Sequence, residues 1–155
     1  MAAGDPGIGR DVLMTSFGEL DTLTPDLELT LPARAENVAV VRHAFGGLGD
    51  VLEVPDQALS DIKLAVTEAC TNVVVHAYPD GEGPLAVRAT VEERVLTVVV
   101  ADEGRGISPR PDSPGLGLGL PLIATLAESL ELGTGANDQT EVRMTFNMNG
   151  SGGPG

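Results

Sequence analysis

Residues 102–119, DEGRGISPRPDSPGLGLG, constrain the fold of this chain more than any other stretch. Pro109, Pro111 and Pro114, together with Gly104, Gly106, Gly115, Gly117 and Gly119, break both helix and strand over most of this length. Regular structure must therefore be built on either side of it. Upstream, LAVRATVEERVLTVVVAD reads as two antiparallel strands, about 85–92 and 94–101, reversed near Glu93. The PDGEGP segment before them (79–84) is a turn by composition. Downstream, LPLIATLAESL (120–130) resumes helical spacing. The end reads as a hairpin of ESLEL and TEVRMTFNM, in which Val142, Met144, Phe146 and Met148 alternate with Glu141, Arg143, Thr145 and Asn147.

In the first half, LELTL (27–31) alternates leucine with polar residues as a strand does, and Pro32 ends it. Val38, Val41 and Ala44 are spaced for a helix from about Arg34 to Phe45, stopped by Gly46-Gly47. A longer helix is expected from Asp56 or Gln57 to Ala77. The order β-α-α-β-β-loop-α-β-β describes an α+β two-layer sandwich, a mainly antiparallel sheet with helices on one face. At 155 residues the chain is expected to hold one domain, about 25–148. Residues 1–24 are Gly-rich and read as a flexible N-terminal leader, and 149–155 as a disordered tail. No internal repeat is visible.

With one Tyr, three Phe and no Trp, the core must be aliphatic. Nine basic residues against 23 acidic ones give a formal charge of −14. That argues against direct nucleic-acid binding, where basic patches supply most of the affinity. The single Cys70 fits a reducing compartment. No apolar run approaches a membrane span, and MAAGDPGIGRD is not a signal peptide, so a soluble cytoplasmic protein without a membrane partner is expected.

Within the longer helix, Ile62, Val66, Ala69, Val73 and Ala77 form one stripe that must face the sheet. Glu68, Asn72 and His76 form a second, polar line beside it, because residues four apart share a face. Taken alone, this line is either a solvated boundary or a functional strip. Asp102 ends an apolar strand, where a carboxylate can accept a hydrogen bond from an exocyclic amine. Gly104 and Gly106 after it would let a flat ring approach the backbone, although DxGxG is also a common turn. Gly115, Gly117 and Gly119 precede a helix, where bare backbone N–H groups and the helix dipole favour an anion, although such a run is also a plain loop.

Taken together and in this order, ExxxN on a helix, DxGxG after a strand and GxGxG opening a helix resemble the N, G1 and G2 boxes of the GHKL ATPase superfamily, whose nucleotide site is the Bergerat fold. QTEVRMTF (139–146) resembles the threonine-bearing strand that closes those domains. KLAVTEACTNVVVHAY, VADEGRGI and GLGLGLPLIATLAE look most like the anti-sigma-factor serine kinases of the RsbW and SpoIIAB kind. The resemblance covers about residues 25–148. It implies ATP and Mg²⁺ as cofactors, with Asn72 holding the ion between the phosphates and Glu68 as the general base. Asp102 would read adenine, Gly104 and Gly106 would make room for it, and Gly115, Gly117 and Gly119 would contact phosphate. His76 would lie near phosphate or, equally, be a helix-end histidine bonded to backbone. Thr140 would add a hydrogen bond near adenine, and Lys63 reads as a solvated lysine.

By the same resemblance the chain would be a homodimer. It would sequester a sigma factor and phosphorylate a serine or threonine of a STAS-type anti-sigma-factor antagonist. The lid between the two glycine boxes is short here: SPRPDSP lies between Ile107 and Gly115, with Arg110 as its one base and Arg105 as the other nearby cation. A short lid leaves an alternative open, a non-catalytic, nucleotide-gated partner-switching module. A domain that binds no nucleotide is the third reading.

Overall fold

The computed structural model describes residues 24–104 and 114–149; the expected leader, most of the lid and most of the expected tail lie outside them. Eight main elements follow in order: β1 (Leu27–Pro32), α1 (Ala35–Val51), α2 (Asp56–Asn72), β2 (Pro84–Glu92), β3 (Val95–Asp102), α3 (Pro114–Leu126), β4 (Ser129–Thr134) and β5 (Thr140–Asn147). The strands form one five-stranded sheet in the order β1-β2-β3-β5-β4, and every neighbouring pair is antiparallel. The helices pack on one face of it, giving the expected α+β sandwich.

The core lies between the layers and is mainly aliphatic. The stripe read from the sequence is buried in full: Ile62, Val66, Ala69, Val73 and Ala77 are each 0–1% exposed. They meet Leu85, Val87 and Ala89 of β2, Leu96, Val98 and Val100 of β3, and Val142, Met144 and Phe146 of β5 in one cluster. The alternation of β5 is therefore observed on its inner side. On the outer side, however, Glu141 and Arg143 are also buried. Glu141 Oε2 lies 3.4 Å from Arg88 Nη2, and Glu141 Oε1 lies 3.8 Å from Arg143 Nη2, so the buried charges are balanced locally.

Four local expectations need correction. First, α1 does not stop at Gly46-Gly47 but runs to Val51. Glycine disfavours a helix by only about 1 kcal/mol, and Leu48 and Leu52 pack on the core. Gly49 is buried against α2, where a Cβ would press on the Leu59 methyls. The helix ends at Leu52, and Glu53 turns away at a φ of 56°. Second, the long helix loses its α geometry after Asn72 and finishes as a π turn, Val73–Ala77. Third, Gly115, Gly117 and Gly119 lie inside the first turns of α3 rather than before it. Fourth, α3 ends at Leu126, and residues expected to continue it enter β4 at Ser129.

The β2–β3 reversal falls where expected. Glu93 and Arg94 take φ values of 52° and 64°, the paired left-handed conformations whose twist suits a tight hairpin. The Arg94 guanidinium then donates to Leu52 O and Met148 O, tying that turn to the end of α1 and of β5.

The extension of α1 is testable at Gly47, which is exposed and has open space where a Cβ would stand. Gly47→Ala should stabilise the protein by about 0.5–1 kcal/mol, read as a higher urea midpoint at unchanged slope. A lower midpoint would place the helix end before Gly47.

Candidate active site

Burying the apolar stripe of α2 fixes the rotation of the helix, and with it the polar line. Glu68 and His76 are half-buried, and Asn72, between them, is 6% exposed. Glu68 and Asn72 are one helical turn apart. His76 lies in the π turn, a local widening that recurs at functional sites.

Asn72 is the most constrained of the three. Its Nδ2 is buried with no hydrogen-bond partner among the described residues. Gly119 of α3 presses on the same amide: a Cβ there would lie 2.9 Å from Nδ2 and 3.3 Å from Oδ1. Any side chain at 119 would crowd the group. A buried donor left unmatched costs about 1–3 kcal/mol, so an amide held this way is suited to an external partner. Its oxygen is a hard, neutral ligand of the kind Mg²⁺ accepts, while the N–H₂ can meet an anionic oxygen. Among the described residues no three or more His, Cys, Asp or Glu converge as a metal cage. An ion held here would draw on one protein oxygen plus phosphate and water, which is the habit of Mg²⁺ at nucleotide sites. The residues present therefore fit that ion with ATP.

Asp102 closes β3 beside the His76–Tyr78 end of that line. It pairs in register with Leu85 on one side and Thr140 on the other. It is 2% exposed, and burial pushes its carboxyl above the usual carboxylate range, partly offset by the Gly104 N–H that donates to Oδ1 at 3.0 Å. Gly104 is packed on Ala77: a Cβ there would collide with the Ala77 carbonyl. A glycine at 104 is thus demanded by the close approach of the Asp102 turn to the end of the helix.

Tyr78 has no role in the sequence reading, yet it sits at this junction. Its hydroxyl donates to Pro84 O at 2.6 Å and accepts from Glu103 N–H at 2.7 Å. Gly83 lies flat against its ring. One signal was available: this is the only tyrosine, at the end of the polar line, and a buried phenol hydroxyl usually finds a partner.

The fold therefore brings Glu68, Asn72 and His76 onto one helix, sets Gly119 on Asn72, and lays Asp102 and Gly104 against the helix end. Thr140 stands beside Asp102 across the ladder. Gly115 and Gly117 open α3. Gly106, Arg105 and Arg110 lie outside the described residues.

A family model described as a histidine kinase-like ATPase domain matches residues 31–146. The chain belongs to this family. Within it, the chain is an RsbW-like member, on the side of the ATP-dependent protein-serine kinases. The serine-protein kinase RsbW of Bacillus thuringiensis (strain Al Hakam) is 34% identical over 121 residues, covering 68% of this chain and 76% of the relative. The serine-protein kinase RsbW of Bacillus anthracis (strain CDC 684 / NRRL 3495) is 32% identical over the same shares. Among solved structures, that of the RsbU and RsbW domains of Rv1364c from Mycobacterium tuberculosis aligns with a TM-score of 0.65 at 23% identity. It covers 81% of this chain, which spans 32% of that longer one. The SiaB-SiaC complex from Pseudomonas aeruginosa aligns with a TM-score of 0.57 at 14% identity, covering 86% of this chain and 96% of the other. At these identities the two structures speak for the fold, and both agree with it.

The buried Asp102 gives this kinase domain a pH signature. A carboxyl whose pKa is raised by folding contributes stability below its unfolded pKa, near 4, and loses it as pH rises through the folded value. At neutral pH Asp102 therefore weighs against the folded state. Asp102→Asn, which keeps an acceptor for Gly104 N–H, should raise the urea midpoint of the nucleotide-free protein at pH 7. The gain should shrink as pH is lowered towards 4. A gain independent of pH would mean that Asp102 carries no such penalty.

Proposed function

We propose that this domain binds Mg·ATP between α2, the Asp102 turn and the start of α3, and transfers the γ-phosphoryl group to a serine or threonine of an anti-sigma-factor antagonist. The observation that carries this reading is the Asn72 amide, buried, unmatched and walled by Gly119, one turn from Glu68. In it, Asp102 accepts a hydrogen bond from the exocyclic amine of adenine, with Gly104, Gly106 and Thr140 lining the base. Asn72 holds the ion through its amide oxygen. Gly115 and Gly117 offer phosphate the free backbone N–H groups of a helix start, favoured by the positive end of the dipole, and Gly119 joins the phosphate side by keeping a side chain away from the Asn72 amide. His76 adds a polar contact on the phosphate side of α2.

Glu68, half-buried and one turn before Asn72, takes the proton from the attacking hydroxyl. Bound Mg²⁺ would supply charge neutralisation at the phosphates. The rest of the barrier is lowered by positioning, which the sheet-packed helix provides. The same molecule, as a cytoplasmic homodimer, would hold a sigma factor away from polymerase. The serine-protein kinases named RsbW support the phosphotransfer. The short SPRPDSP lid favours a second reading, a nucleotide-gated binding module with little or no transfer.

Calorimetric titration with Mg·ATP, and with Mg·GTP as control, tests the site. Micromolar ATP binding with weak GTP binding is expected, and no binding at millimolar ATP would end the proposal. Incubation with Mg·ATP and candidate antagonists should add roughly 80 daltons, one phosphate group, to the right partner. Glu68→Gln should keep ATP affinity and slow transfer about 10²–10⁴-fold. Transfer at the wild-type rate would remove Glu68 from its role. A domain that binds ATP and modifies no antagonist would be the binding module.

A further inference from the structure

We infer that Tyr78 is a positioning residue for nucleotide recognition, its hydroxyl tying the end of the α2 π turn to the start of β2 and to the turn directly after Asp102. This inference rests on the proposed reading of Asp102 as the adenine acceptor. Three contacts converge here. The hydroxyl donates to Pro84 O, at the first residue of β2, and accepts from the N–H of Glu103, the residue after Asp102. The ring fills the space above Gly83, and the Ala77 carbonyl next to it meets Gly104. Because Leu85 and Asp102 are paired across β2 and β3, one oxygen atom bridges the mouth of that ladder to the helix carrying Asn72. Donor and acceptor are both used, so the hydroxyl is satisfied in place and does not need a ligand.

The consequence is geometric. The carboxylate that reads the base and the amide that faces the phosphates belong to different layers of the sandwich. Their separation must match one nucleotide, and the closest described ties between the two elements at this end run through Tyr78 and the Ala77–Gly104 contact. Desolvation holds the Tyr78 hydroxyl above its usual pKa, which keeps it protonated and able to donate at neutral pH.

Tyr78→Phe retains the ring over Gly83 and removes only the tie. Wild type and variant are titrated with Mg·ATP, Mg·GTP and Mg·tripolyphosphate, the last presenting phosphates without a base. The variant should bind ATP about tenfold more weakly, the scale of one hydrogen bond, with a reduced ATP-over-GTP preference and unchanged tripolyphosphate affinity. Equal losses for all three ligands would reduce Tyr78 to a general structural residue and overturn the inference. A variant as selective as a selective wild type would also overturn it while leaving the Asp102 reading intact. A wild type that binds ATP and GTP alike would sink that reading and the inference together. Amide exchange in the unaltered protein gives a check that needs no variant. Glu103 N–H should be protected, and exchange at the rate of a free loop amide would mean that no tie exists.

Discussion

The contact on which the rest depends is the apolar stripe of α2 against the inner face of the sheet. Full burial of a valine or isoleucine is worth about 1.5–3 kcal/mol, and Ile62, Val66 and Val73 are all buried, with Ala69 and Ala77 between them. Rotating the helix by one residue would bring the Glu68–Asn72–His76 line under the sheet, so the core sets the direction of the polar line. The same burial brings α3 across α2 closely enough for Gly119 to touch the Asn72 amide. Chemistry at this site is thus a by-product of packing that would be needed in any case.

Against that background, the site carries several groups that a purely structural protein would replace. Asn72 has an unmatched buried donor, and Asp102 is a desolvated carboxylate with the Gly104 N–H bonded to it. Each weakens the free protein and would be relieved by a ligand of complementary chemistry. Glycine at 104 and 119 follows from the same crowding, since one abuts the Ala77 carbonyl and the other the Asn72 amide. The membership of the histidine kinase-like ATPase family gives this pattern of tolerated strain a reason.

What could be read from the sequence was whatever rests on periodicity. The stripe of α2, the succession of helices and strands along the chain and the inner face of β5 follow from spacings of 3.6 and 2, and each is found where expected. Features decided by tertiary contact were not legible. Gly46-Gly47 looks like a helix stop, but Leu48, Gly49 and Leu52 find partners and carry the helix onward. GLGLGL looks like a loop and is helical, and its last glycine stands where the Asn72 amide leaves no room for a side chain. Glu141 and Arg143 look like solvent-facing residues of an alternating strand, and mutual pairing with Arg88 allows their burial. The π turn leaves no trace in composition. Tyr78 is not legible because its contacts are with two backbone groups, at Pro84 and Glu103, which no side-chain pattern reveals.

The glycines inside α3 have one more consequence. Each interior glycine makes a helix about 1 kcal/mol less favourable than alanine would, largely through backbone entropy. Gly115, Gly117 and Gly119 place three such deficits within the first two turns, beside Pro114. A ligand that completes hydrogen bonds to those turns offsets an entropic debt that grows with temperature. Phosphate affinity in a domain built this way should therefore weaken on warming faster than contact chemistry alone would dictate, making heat itself an input to the site.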